Sequence, residues 1–182
     1  MDMTPRLAIR LNALVLYAVS AVLIMAFYWQ LAYDELPCPL CLLQRVALAG
    51  LAVGPILTIR HGPRPANYGL VIIAALMGAA IAARQILLHI MPGDPGFGSA
   101  FLGLHFYTWA FLCFVMAILW AAVMLTFGRQ FAPQPKAPAR NTFEGLAVWL
   151  IIGLTGLNAA SALLECGISG CPANPVRYEL LN

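Results

Sequence analysis

Cys38-Pro39-Leu40-Cys41 lies in a short polar gap between two long apolar runs, which extend from about Leu11 to Leu31 and from about Leu42 to Ile59. Each run is close to the roughly 20 residues that a helix needs to cross the hydrocarbon core of a bilayer. Two thiols between such helices lie at a membrane surface, where they can exchange disulfides with a protein in the water. The stretch therefore predicts a helical membrane protein with a surface cysteine pair.

The composition of the whole chain agrees with a bilayer environment. Of the 182 residues, 62% are hydrophobic and 9% are charged, whereas a soluble domain carries about 25% charged residues. Three further apolar runs follow, at about Tyr68 to Met91, His105 to Phe127 and Phe143 to Leu164. We predict an all-α integral membrane protein in one domain, with a four-helix transmembrane bundle core in residues 1–127 and a fifth transmembrane helix in residues 128–182.

The gaps between the runs contain turn-forming residues and most of the charges. The prolines of the last three gaps are Pro63, Pro65, Pro92, Pro95, Pro133, Pro135 and Pro138. Asn141 and Glu144 have the spacing of a capping box at the start of the fifth helix. The first apolar run follows Arg6 and Arg10 but is longer than a signal-peptide core, so we expect it to remain as a helix.

The positive charges predict the orientation, because Lys and Arg of short loops stay on the cytoplasmic side. Five helices bring three basic segments to one side, with Arg6, Arg10, Arg60, Arg64, Arg129, Lys136 and Arg140. The other side has mostly acidic residues, namely Asp34, Glu35, Asp94, Glu165 and Glu179, with Arg177. We therefore expect a cytoplasmic N-terminus and a periplasmic C-terminus in a bacterial inner membrane, with membrane lipid around the chain. The scattered basic residues predict no nucleic-acid partner.

A second cysteine pair, Cys166 and Cys171, follows the last apolar run. This orientation puts both pairs in the periplasm, where disulfides persist. The fifth cysteine, Cys113, falls within the fourth run and is expected to be a small buried apolar residue.

The first pair has the features of a reactive redox site. It begins a helix, whose unpaired N–H groups stabilise a thiolate, and Arg45 lies four residues after Cys41 on the same helix face. Three alternatives remain open from spacing alone: half of a zinc site, an inert structural disulfide, and a role for Arg45 as an interfacial anchor.

The run Pro37-Cys38-Pro39-Leu40-Cys41-Leu42-Leu43-Gln44-Arg45 resembles the signature of the disulfide bond formation protein B (DsbB) family. The run Phe101-Leu102-Gly103-Leu104-His105-Phe106-Tyr107-Thr108-Trp109 resembles the family segment that enters the fourth helix. The resemblance covers about residues 10–127. It implies a quinone-linked thiol oxidase that reoxidises a periplasmic thioredoxin-fold dithiol oxidase (DsbA-like) and passes two electrons to ubiquinone or menaquinone.

By matching positions, the resemblance implies that Cys41 lies next to the quinone, that Cys38 is its partner and that Arg45 contacts the quinone ring. Gln44 receives no role. The family's second cysteine pair usually lies in the outside loop between helices three and four, and here residues 91–104 contain no cysteine. We hypothesise that Cys166 and Cys171 replace it as a catalytic pair, with a static disulfide at the helix end as the alternative.

Other polar residues near the outer face are weaker candidates. His89 and His105 are candidates for cofactor binding, with helix capping as the alternative, and no metal site is predicted. Arg84 and Gln85 lie near the outer end of the third helix. Arg84 is a functional candidate as an ionisable residue inside the membrane, with snorkelling to the interface as an equal alternative. Tyr107 and Trp109 are expected to belong to an interfacial aromatic belt, and Glu165 is expected to be a solvated loop acid rather than a proton-transfer group.

Two rival functions remain. One is an enzyme similar to vitamin K epoxide reductase, in which quinone reduction is the purpose. The other is a membrane scaffold whose cysteines only staple loops.

Overall fold

A computed structural model describes residues 3–132, 141–167, 170–172 and 174–181. In chain order its elements are α1 (Pro5–Ala32), α2 (Pro39–Leu51), α3 (Val53–His61), α4 (Pro65–Leu88), β1 (Ala100–Phe101), β2 (Leu104–His105), α5 (Phe106–Leu125), a 3₁₀ helix (Gly128–Phe131) and α6 (Thr142–Cys166). Pro133, Pro135, Lys136, Pro138 and Arg140 of the predicted fourth gap lie outside the described residues.

Within the described ranges, five helical segments are long and apolar enough to cross a membrane. The second of them consists of α2 and α3 and spans Pro39–His61. It is interrupted at Ala52, whose N–H bonds to the Ala49 carbonyl at 3.1 Å, and Pro55 in the next turn has no N–H to continue the ladder. The prediction of an all-α membrane bundle with five apolar helices is confirmed.

Local signals fix where the helices begin. Prolines occupy the first turns of α1, α2 and α4, where their missing N–H costs nothing. The capping box predicted at the start of α6 is confirmed, since the Asn141 N–H donates to Glu144 Oε2 at 2.6 Å and Asn141 Oδ1 accepts from the Thr142 N–H at 2.7 Å.

The helices pack around α4, which contacts α2, α3 and most extensively α5. Gly78 of α4 permits this close approach, because a Cβ there would collide with the ring of the fully buried Phe114. Outer helix faces are apolar, as shown by Trp149, which is 73% exposed. Such a surface is suited to lipid.

α6 packs mainly against α1 and runs parallel to it. Near the start of α6, the Tyr17 hydroxyl donates to the Phe143 carbonyl at 2.9 Å. Near its end, Gln30 Nε2 donates to Ser161 Oγ at 2.9 Å. The chain that leaves α1 leads directly to Cys38, so the two cysteine pairs lie at the same end of the bundle.

Candidate functional site

The first cysteine pair is built into the N-terminus of α2. Cys38 is the N-cap residue in an extended conformation, and its Sγ accepts from the Cys41 N–H at 3.2 Å. Pro39, the first helical residue, fixes the backbone where the helix starts. One helical turn therefore brings the two Sγ atoms to 2.6 Å from each other, so a small movement is enough to form or open a disulfide.

One buried glutamine contacts this pair, and a second buried glutamine holds the first in place. Gln85 of α4 donates from Nε2 to Cys38 Sγ at 3.3 Å and to Cys41 Sγ at 3.5 Å. Gln44 donates to Gln85 Oε1 at 2.7 Å, which fixes the orientation of that amide. Neither residue had a predicted role, although an uncharged polar side chain inside an apolar helix is itself a signal of a functional site.

The site favours a thiolate at Cys38, which lies just before the membrane-spanning segment. The hydrogen bond from the Cys41 thiol is the largest cause that lowers the pKa of Cys38, to about 6. Backbone N–H groups of the first turn and the Gln85 amide act in the same direction, while burial opposes them. Because the thiolate is the nucleophile in disulfide exchange, the reduced pair is reactive at neutral pH.

We expect the alkylation rate of Cys38 by iodoacetamide, in the reduced protein, to rise with pH through a midpoint of about 6. Below this pH the sulfur is protonated and alkylation is slow, and well above it the alkylation rate is constant. An unperturbed thiol has its midpoint at about 8.5. Cys41→Ala removes the main hydrogen bond and should move the midpoint upward. Quench-flow alkylation read by peptide mass spectrometry measures both, and a wild-type midpoint near that of a free thiol contradicts the assignment.

Arg45 is a buried cation one turn further along α2. Its Nη1 donates to Gln30 Oε1 at 2.6 Å and its Nη2 to the Ala26 carbonyl at 3.1 Å. Its guanidinium also lies 5.2 Å from the centroid of the Phe27 ring. The three contacts with α1 hold the charge inside the bundle, so the alternative of Arg45 as an interfacial anchor is wrong.

A cavity of about 370 Å³ opens beside Cys41 and Arg45. Its walls are largely aliphatic and aromatic, and its polar groups include Gln30 and Gln44. The apolar part of the lining includes Val22, Met25, Trp29, Leu48, Phe101 and Phe106. Ligand sites commonly have this volume and this mixture of apolar walls with a few polar groups. The cavity therefore suits a flat apolar molecule with polar oxygens.

The segment between α4 and α5 closes one side of the cavity. The Ser99 N–H and hydroxyl contact Glu35 Oε2 at 3.1 and 3.2 Å, and Trp29 Nε1 donates to Ser99 Oγ at 2.9 Å. β1 and β2 form an antiparallel hairpin with Phe101 opposite Leu104. These bonds hold Phe97 and Phe101 in the cavity wall.

The two histidines stack on Tyr107 at the edge of the cavity. The His105 and His89 rings lie 5.3 and 5.7 Å from the Tyr107 ring, and His89 Nδ1 is 3.0 Å from Asp94 Oδ1. Of the three, only Tyr107 contributes to the cavity lining. Tyr107 is 6% exposed, so its expected place in a lipid-facing aromatic belt is wrong. A cofactor role for the histidines stays a prediction.

Cys166 and Cys171 form a disulfide at the end of α6. Cys166 is buried and Cys171 is exposed, and Gly167 makes the turn between them with φ of 65°. Ile168 and Ser169 of this loop lie outside the described residues.

The tail after the disulfide folds back onto α6. The Glu179 and Leu180 N–H groups donate to the Glu165 and Leu164 carbonyls at 3.3 and 3.1 Å. Gln30 Nε2 donates to the Tyr178 hydroxyl at 3.0 Å. Because Gln30 also accepts from Arg45, one amide joins the tail to the arginine.

The structure corrects two further expectations. Cys113 is only partly buried and lines the cavity. Glu165 is 1% exposed, so it is not a solvated loop acid. In the part of the chain that the structure describes, no three or more His, Cys, Asp or Glu side chains converge as metal ligands would.

The family model "Disulfide bond formation protein DsbB" matches residues 8–99. This range includes Cys38, Cys41, Arg45 and His89, and it ends before α5 and α6. The match ends earlier than the resemblance of the sequence motifs, which extends to about residue 127.

Curated relatives of the same family name also match over part of the chain. Disulfide bond formation protein B of Xanthomonas axonopodis pv. citri (strain 306) is 45% identical over 82 residues, which cover 42% of this chain and 48% of that protein. The protein of the same name from Marinobacter nauticus (strain ATCC 700491 / DSM 11845 / VT8) is 40% identical over 85 residues, covering 44% and 51%. The chain thus spans about half the length of the curated relatives it matches. No solved structure matches it significantly.

Proposed function

The chain belongs to the DsbB family of disulfide bond formation proteins, and on that premise we propose that it is a quinone-dependent thiol oxidase of the membrane. Its substrate is a reduced thioredoxin-fold dithiol oxidase (DsbA-like) in the periplasm, and its electron acceptor is ubiquinone or menaquinone. One observation carries the proposal: Cys41 and Arg45 line the same apolar cavity. A redox sulfur and a fixed positive charge there face the space that a lipid-soluble acceptor would occupy.

The lining residues fit a quinone. Apolar and aromatic walls suit its ring and its chain. Arg45 has five N–H donors, and its two hydrogen bonds to α1 use one donor of Nη1 and one of Nη2. The other donors can bond to a ligand. Arg45 and Gln44 would hold the quinone oxygens, with Trp29 and Phe106 against the ring. When bound, a quinone supplies an acceptor for two electrons and two protons. The protein supplies the position of the sulfur, the charge and the exclusion of water.

The exposure of the second pair gives its two sulfurs different roles in the proposed relay. The exposed Cys171 is the sulfur that a partner thiolate attacks, which breaks the Cys166–Cys171 bond and forms a mixed disulfide. The partner's second thiol then releases its oxidised form and leaves Cys166 and Cys171 as thiols. The buried Cys166 next attacks the Cys38–Cys41 disulfide. Two electrons thereby reach the pair beside the cavity, and the Cys166–Cys171 bond forms again.

A quinone assay tests the function. Purified protein in lipid nanodiscs, given a reduced thioredoxin-fold oxidase and ubiquinone, should bleach the quinone absorbance and leave one partner disulfide per quinone consumed. Quinone reduction with dithiothreitol but never with a protein dithiol supports the rival similar to vitamin K epoxide reductase. Absence of both reactions supports a scaffold with structural disulfides.

We expect both pairs to face the periplasm, because the basic segments of the chain all fall on the opposite side. In intact cells treated with a permeant reductant, a membrane-impermeant maleimide should label Cys171, the exposed sulfur. Ala132→Cys, next to the 3₁₀ helix at the other end of the bundle, is the matched control and should be labelled only after permeabilisation. The reverse pattern, with Ala132→Cys labelled in intact cells, places the tail in the cytoplasm and breaks the relay.

A further inference from the structure

Glu165 is an ionisable side chain that has no role in the relay proposed above. It lies in the last turn of α6, next to Cys166, and is 1% exposed. Among the described residues, neither of its carboxyl oxygens has a hydrogen-bond partner. Burying a carboxyl group in this way costs folding free energy, and the cost is greater when the group is charged. A carboxyl retained at that cost next to a redox pair is a candidate for function.

The surroundings of Glu165 connect the two cysteine pairs. Arg45 of α2 and Cys38 before it act on the Glu165 carboxyl electrostatically. Tyr178 of the tail acts on the same Arg45, while the Glu179 side chain of the tail is turned to solvent and near Arg177. Cys166 ionises only when its disulfide is reduced. The buried positive charge of Arg45 therefore interacts with both the Glu165 carboxyl and the Cys38–Cys41 pair.

Arg45 does not form an ion pair with Glu165 in the described structure, since its two hydrogen bonds go to Gln30 and Ala26. It is therefore free to balance a negative charge on either side of it. In a buried site, one negative charge beside Arg45 is stabilised and two are not. A proton that moves between Glu165 and the sulfurs keeps that balance, because the negative charge moves in the opposite direction.

We propose that Glu165 carries the proton in the exchange between the two cysteine pairs. The carboxylate takes the proton of the Cys166 thiol, and the resulting thiolate forms a bond to a sulfur of the Cys38–Cys41 disulfide as that disulfide breaks. The carboxylic acid returns the proton to Cys41, the sulfur that leaves. The second thiol, Cys171, then resolves the mixed disulfide, and its proton stays on Glu165, because Cys38 leaves as the thiolate that the site favours. Two electrons pass from one pair to the other, one proton ends on Cys41 and one on Glu165, and a single negative charge remains beside Arg45.

This inference rests on the proposed function, and its test separates the two. Quinone-free protein in nanodiscs, with Cys38–Cys41 oxidised, is mixed with excess reduced thioredoxin-fold oxidase. Samples are quenched in acid, alkylated, and read by peptide mass spectrometry, so the reduction of each pair is followed separately and without turnover of quinone. The variants are Glu165→Gln and Glu165→Asp. The matched control is Glu179→Gln, which makes the same chemical change at an exposed carboxyl of the tail.

In Glu165→Gln, reduction of Cys166–Cys171 should keep its rate, and transfer to Cys38–Cys41 should slow about a hundredfold, the lower range for a lost acid–base group. Its transfer rate should also lose one limb of the pH profile. Glu165→Asp should restore part of the rate, and Glu179→Gln should match the wild type. A Glu165→Gln protein with unchanged transfer and unchanged pH profile overturns the inference and leaves the function standing. Wild-type protein without any transfer overturns both.

If the Glu165→Gln protein does not fold, the Glu165→Asp variant tests the inference instead, because aspartate keeps the carboxyl group on a side chain that is one methylene shorter. A transfer step that slows in this variant while the first step keeps its rate supports the proton route. Equal rates of both steps in Glu165→Asp and the wild type, at every pH, overturn it.

Discussion

Replacing Cys41 by serine should lower the rate of quinone reduction by at least about a thousandfold, because a covalent redox step loses the atom on which it depends. Cys41 is the sulfur of the first pair that lines the cavity. Serine has nearly the same size and can still donate to Cys38 Sγ, so the helix start and its cap remain. Stopped-flow absorbance of the quinone with the reduced partner measures the loss.

The matched control for this variant is Cys113→Ser. Its sulfur lines the same cavity from α5 but belongs to neither pair, so this variant should keep measurable turnover. Near-normal turnover of Cys41→Ser would mean that electrons reach the acceptor without the first pair. Loss of turnover in both variants would point to the cavity wall rather than to the pair.

Replacing Arg45 by methionine should lower the turnover number about 10²–10³-fold, the usual effect of removing one fixed electrostatic group from a reaction site. Methionine keeps much of the volume but loses the charge beside the sulfurs and the two hydrogen bonds to α1. The turnover number of Arg45→Lys should lie between those of the wild type and Arg45→Met, since an ammonium group keeps the charge but lacks the planar guanidinium. Steady-state kinetics against quinone concentration separate weaker binding from slower chemistry.

Arg84→Met is the matched control for Arg45. Arg84 lies on α4 beside Gln85, and its side chain is exposed. The same change of charge there should leave the rate within about twofold, because an exposed charge is screened by water and salt. A comparable loss in both variants would show that net charge at this end of the bundle matters rather than the buried position of Arg45.

The five apolar segments could be predicted from sequence because bilayer thickness sets their length and composition. Most of their ends could not, because caps and prolines decide them; the capping box at the start of α6 is the end that was predicted. α2 begins at Pro39, three residues before the apolar run, since Cys38 caps it. The break at Ala52 and the hairpin of β1 and β2 were not predicted. Two-residue strands are too short to show a periodicity, and a single Pro55 does not reveal whether a helix bends or stops.

The candidate site was predicted in part. Cys38, Cys41 and Arg45 share one local motif, so their proximity follows from helix geometry alone. Gln30 and Gln85 are 15 and 40 residues from Arg45 in sequence. Only the packing of α1 and α4 against α2 brings Gln30 to Arg45 and Gln85 to the cysteine pair. Glu165 was misjudged for the same reason, because its burial depends on a tail that folds back through the Glu179 and Leu180 backbone.

The side chain of Gln30 sets an order of assembly during synthesis. Its oxygen meets Arg45 only 15 residues later, whereas its nitrogen meets Ser161 after 131 residues. At a translation rate of about 5–20 residues per second, the second contact forms on the order of ten seconds after the first. The first cysteine pair and the contact between Gln30 and Arg45 thus exist well before α6 docks on α1. In the proposed relay, a nascent chain at that stage has the pair that reduces the quinone but lacks the pair that accepts electrons from the partner.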